Sequence, residues 1–150
     1  MRFRRYLAAG FSLAVALALA AALAIPTMAA GGRTFMIELT GAAEAPGPGD
    51  PDGSGTATIV VNPGTLEVCY DFTVTGVAPL AAAHIHAAPA GEPGPVVIPT
   101  PPTSDFAGSG CVTVEDRGLL VDIIRNPDAY YFNVHNADFQ PGALRGQLSD

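Results

Sequence analysis

The sequence predicts an all-β antiparallel sandwich or barrel with one short helical turn, and three observations carry that prediction. After residue 30 the chain reads as short stretches in which apolar and polar residues alternate, the period-two signature of half-buried strands. Gly and Pro, 16 and 13 of the residues after position 30, punctuate those stretches too often for helices of ordinary length. Only residues 119–125 space their apolar side chains (Leu119, Leu120, Ile123, Ile124) at helical intervals, and one or two turns cannot stand alone.

The elements follow in order. Residues 34–40 form a first strand, with Phe35, Ile37 and Leu39 on one face. Residues 41–53 carry too many Gly and Pro for a helix or a central strand. Their acids Glu44, Asp50 and Asp52 lack the spacing of an EF-hand, so a solvated charged loop is expected there rather than a calcium site. Residues 55–61 make a second strand, and Asn62-Pro63-Gly64 supplies the turn into the longest one, 65–75. Residues 81–87 form a strand entered through Pro79, and a Gly/Pro loop at 88–95 leads to a short apolar strand at 96–98. Extended structure resumes at 108–114, the helical turns end at Asn126-Pro127, and strands at 129–136 and 143–148 close the chain.

Residues 1–30 stand apart. Arg2, Arg4 and Arg5 precede an uncharged run from 6 to 25, and Pro26 and small residues then lead to Ala29 and Ala30. This is the layout of an export signal cleaved after Ala29 or Ala30, with an uncleaved N-terminal anchor as the alternative. The expected organisation is a signal peptide at 1–30 and one domain at 31–150, secreted or held in the cell envelope. Membrane contact is expected only if the leader is retained. Without the leader, Arg33, Arg117, Arg125 and Arg145 face fourteen Asp and Glu, a formal charge of −10. There is no lysine and no basic run interleaved with aromatics, which argues against nucleic acid as a partner. In an exported chain the two cysteines, Cys69 and Cys111, most simply pair as a structural disulfide. Each falls among the more polar residues of its strand, so the bond is expected on the outer side or at an edge. The spacing is not that of a CxxC redox pair.

The three histidines of the chain lie in two strands, as His84-Ile85-His86 and Asn133-Val134-His135. Alternation turns His84 and His86 to one face, and Asn133 and His135 likewise. Two readings remain open. If the strands are neighbours, His84, His86 and His135 form a three-imidazole site for copper or zinc. Otherwise the histidines join Arg145, Asn133, Gln147 and Glu92 in a hydrogen-bonded polar cluster or an anion site. Arg145 and Gln147 share a strand face opposite Leu144 and Leu148, so Arg145 points away from the main core or into a polar pocket at its edge, and pairs with Glu92 or a nearby Asp. No Gly-x-Ser-x-Gly, phosphate loop or dinucleotide fingerprint is present, and no catalytic residue is assigned.

A family resemblance rests on landmarks in order: Leu39-Thr40-Gly41-Ala42-Ala43-Glu44, Gly55-Thr56-Ala57-Thr58, Ala83-His84-Ile85-His86 and Gly91-Glu92-Pro93-Gly94-Pro95-Val96-Val97. They continue with Tyr131-Phe132-Asn133-Val134-His135-Asn136 and Pro141-Gly142-Ala143-Leu144-Arg145-Gly146-Gln147-Leu148. The chain resembles the CHRD (chordin-type) domains, and the resemblance implies an immunoglobulin-like β-sandwich or barrel with no settled activity. The family pattern carries an acid shortly before the arginine, where this chain has Ala143, so no acidic role is carried over to that position. The His-x-His strand, the disulfide and the late arginine are also similar to Cu,Zn superoxide dismutase, but three histidines are too few for that enzyme's bimetal centre. The expected function is an exported, non-enzymatic binding or structural module, with an extracellular protein or glycan as partner. The alternative is a copper- or zinc-binding redox protein using the three-histidine site.

Overall fold

In a computed structural model that describes residues 32–149, the chain forms eight strands and one α-helix. The leader assigned to residues 1–30 lies outside the described residues. Strand β1 (Arg33–Thr40) buries Phe35, Ile37 and Leu39 and exposes the residues between them, as its alternation requires. It pairs along its full length with β2 (Ser54–Asn62), which turns into β3 (Glu67–Thr75). At that turn Asn62 Oδ1 accepts hydrogen bonds from the backbone N–H groups of Gly64 (2.9 Å) and Thr65 (3.3 Å), an Asx turn.

The remaining strands are β4 (Leu80–Ala87), β5 (Val96–Pro99), β6 (Ala107–Thr113), β7 (Tyr130–Asn136) and β8 (Leu144–Gln147). All pairings are antiparallel, in the order β5-β4-β7-β8-β1-β2-β3-β6. The sheet curls into a nearly closed sandwich or barrel. Residues 100–106 tie its two ends together: the N–H of Thr100 donates to Ala83 O, that of Leu80 to Asp105 O, and that of Val74 to Phe106 O. The linking segment thereby satisfies backbone groups that open edge strands would leave exposed.

The inner face carries the core, including Phe35, Ile59, Phe72, Ile85, Ile98, Phe132 and Leu144, all at or below 1 % exposure. The helix α1 (Arg117–Arg125) starts two residues earlier than the apolar spacing marks, because the Asp116 side chain accepts from the N–H of Leu119 and caps it. Leu120 and Ile123 insert from it into the core. Cys69 and Cys111 face each other across β3 and β6 and are bonded, on the outer side of an edge strand.

The loop at 41–53 departs from expectation. It holds a 3-10 turn at Gly41–Ala43, and Glu44 and Asp50 are buried rather than solvated. Backbone bonds from Gly49 N to Gly41 O and from Asp50 N to Ala143 O, both 2.8 Å, fold the loop back onto the entry to β8. Gly49 permits that approach, since a Cβ there would collide with the Ala143 carbonyl. The Asp50 carboxylate turns inward to accept from the N–H of Asp52.

Candidate metal centre

Strands β4 and β7 are neighbours, so the alternation of each projects onto one shared outer face. His84 lies opposite Asn133, His86 opposite Tyr131 and Ala82 opposite His135; on the far side of β7, Asn133 meets Arg145 and Tyr131 meets Gln147. Ile85, Phe132, Val134 and Leu144 point the other way into the core. The outer face of β4, β7 and β8 is therefore a continuous polar field. Loop 88–95 covers part of it, leaving His86, Asn133 and Arg145 buried.

The three imidazoles converge. One nitrogen from each of His84, His86 and His135 lies within 4.8 Å of the others, and His84 Nδ1 is 3.2 Å from His135 Nε2. Two rings have their outward nitrogens occupied by main-chain carbonyls, His86 Nδ1 on Gly94 O (2.8 Å) and His135 Nδ1 on Gln140 O (2.9 Å). A carbonyl only accepts, so each Nδ1 carries the proton and each Nε2 is left with its lone pair. His84 Nδ1–H then donates to His135 Nε2. The buried Nε2 of His86 has no hydrogen-bond partner.

Burial pulls all three rings below the ordinary histidine value. His84 falls furthest, to about 4, because its desolvation is reinforced by repulsion from His135 and His86. For His86 burial outweighs the stabilising bond to Gly94 O, and the charge of Arg145 pushes the same way as burial. For His135 burial outweighs the bond to Gln140 O. Near neutral pH the cluster is three neutral imidazoles, the protonation state in which histidine ligates a metal.

Beside the histidines, Arg145 is 1 % exposed. Its guanidinium donates to Glu92 O (2.9 Å), Pro89 O (2.8 Å) and Gln147 Oε1 (3.2 Å), and lies 3.4 Å above the Tyr131 ring centre. Tyr131 in turn stacks on His86 at 4.7 Å, with planes 10° apart. Because β7 separates β4 from β8, the phenol ring lies between imidazole and guanidinium. Gln147 donates to Ala88 O (2.8 Å) and Asp128 O (2.7 Å), and the Tyr131 hydroxyl accepts from the N–H of Gly94. Loop 88–95 is thus held by its main chain. The expected pairing of Arg145 with the Glu92 carboxylate gives way to a bond with the Glu92 carbonyl, because Pro89 and Glu92 turn their C=O groups inward and the Glu92 side chain stays exposed.

A model of the CHRD domain family matches residues 35–148. The chain is a CHRD-domain protein. The match takes in all eight strands apart from the first two residues of β1, and every residue of the histidine face. Membership marks an extracellular or envelope domain, and a cross-strand disulfide is at home in such an oxidising setting. No curated protein and no solved structure matches the chain.

The CHRD landmarks and the alternation brought His84, His86, His135, Asn133, Arg145 and Gln147 to one face, while Glu92 takes part through its backbone alone. Two participants were missed. Tyr131 shares the period-two face of Asn133 and His135, a signal present in the sequence. Glu44 had only its place at the end of the family landmark 39–44, with no periodicity to aim it, since it arrives from the 41–53 loop. Its buried carboxyl packs against Gly142 and lies close enough to Asn133 and Arg145 to feel both, yet Glu44 Oε1 and both amide atoms of Asn133 fall short of hydrogen-bond geometry. Burial raises the Glu44 pKa above the usual glutamate value, against the lowering effects of Asn133, the Ala45 N–H and Arg145.

Proposed function

We propose that this CHRD domain is an exported, non-enzymatic module that binds a single copper or zinc ion through His84, His86 and His135. One observation carries the reading: three neutral imidazoles converge within 4.8 Å while main-chain carbonyls hold the far nitrogens of two of them. Such partners fix the tautomer and ring orientation of metal-binding histidines. In the metal-free state His84 Nδ1–H donates to His135 Nε2; for a metal ion to bind there the His84 proton would move to Nε2, freeing Nδ1 as a ligand beside His135 Nε2 and the unpartnered His86 Nε2. The basic residues and uncharged run at the N-terminus support export.

The 3.2 Å His84–His135 contact also favours a second reading, in which the histidines are a metal-free strut pinning loop 88–95 over the sheet. Metal content separates the two. The purified domain should carry, or take up on addition, one equivalent of copper or zinc, and the His84→Ala/His86→Ala variant should not. Wild-type protein that ignores both ions would leave the strut, and a protein or glycan partner would then be the binding target to seek.

A further inference from the structure

We infer that the three-histidine centre selects copper in its cuprous state over zinc, because Arg145 places a positive charge one aromatic ring away from it. The inference rests on the metal-binding reading above and specifies its ion. Among the described residues, the group able to ligate is three histidines with no carboxylate or thiolate. A bound ion therefore keeps its full charge. Three nitrogen donors can satisfy a monovalent d10 copper ion, whereas zinc at a three-histidine site adds a fourth ligand such as water.

Arg145 adds to that preference. The hydrogen bonds described for its guanidinium end on two carbonyls and an amide oxygen, all neutral, so none of them cancels its charge. The Tyr131 ring lies between it and His86, with 3.4 Å on one side and 4.7 Å on the other. Across about 8 Å at an effective dielectric of about 20, one extra unit of charge on the ion costs on the order of thirty-fold in affinity. Glu44 is the carboxyl that faces Arg145 and opposes it. Arg145 and Glu44 are thus positioning residues of opposite sign for the same choice of ion.

The test measures two affinities on the full exported domain: copper(I) against bicinchoninate under ascorbate, and zinc(II) against a fluorescent chelator. Wild type should bind copper(I) the more tightly. The ratio of the two affinities should fall about thirty-fold in Arg145→Gln and, measured at a pH high enough to ionise Glu44, rise in Glu44→Gln, which removes the opposing charge in a near-isosteric side chain. Zinc bound as tightly as copper(I), or a ratio unmoved in Glu44→Gln, overturns the inference while leaving a metal site. If Arg145→Gln does not fold, the direction of change in Glu44→Gln decides alone. Failure to bind either ion removes this inference together with the reading beneath it.

Discussion

Arg145 ties the site to the fold, and replacing it with Met tests how strongly. Methionine keeps most of the stem and removes the guanidinium. The carbonyls of Pro89 and Glu92 then lose their 2.8 and 2.9 Å donors beneath a covering loop. Each part-buried acceptor left without its donor costs about 1 kcal/mol or somewhat more, and the lost contact with Tyr131 adds about 1 kcal/mol or more. Relief from burying a charge gives part of this back, so the expected net loss is about 2–4 kcal/mol. Urea unfolding of wild type and Arg145→Met should show that loss as a lower midpoint at unchanged slope. Amide exchange should accelerate most in residues 88–95, since Gly94, the partner of His86, is released with them. A loss below about 1 kcal/mol, with exchange in that loop unchanged, would refute the claim that Arg145 holds the loop in place.

Three further outcomes follow from the same geometry. Replacing both Cys69 and Cys111 with Ala opens a loop of 42 residues and should cost about 4 kcal/mol in urea unfolding; a change under about 1 kcal/mol would mean that β3 and β6 need no staple. Gly146→Ala would drive a Cβ into Ile37 Cγ2 and the Glu38 carbonyl, so a loss of about 2 kcal/mol or more is expected, and a neutral result would show that β8 can retreat from β1. In metal-free protein the folded histidines refuse protons that the unfolded chain takes up below about pH 6.5, so stability should be fully present above that pH and fall as acid is added towards pH 4. Glu44, shifted upward, works in the opposite sense; His84→Asn should therefore flatten the dependence, and identical pH profiles for the two proteins would contradict the shift at His84.

The architecture was legible because alternation is a local property. Phe35, Ile37 and Leu39 declare their common face within seven residues, and His84 and His86 do so within three. What alternation leaves open is which strands become neighbours. The adjacency of β4 and β7, which turns two histidine motifs into one cluster, depends on long-range pairing and stood in the sequence only as a condition. The contributions of Gly94, Gln140, Pro89 and Glu92 were hidden for a different reason: each acts through its main-chain carbonyl, which every residue type possesses. Glu44 looked like a surface acid because its loop is rich in Gly and Pro. Those glycines are what allow the loop to press against β8 and bury it.

The most direct test of the account is a crystal structure of the copper-loaded domain, with anomalous data collected at the copper edge. A single strong peak is predicted on the outer face of β4 and β7, about 2.0–2.1 Å from one nitrogen each of His84, His86 and His135. The Gly94 and Gln140 carbonyls should still hold the far nitrogens of His86 and His135. A peak elsewhere on the surface, or no peak with the His84–His135 contact intact, would contradict the proposed metal centre.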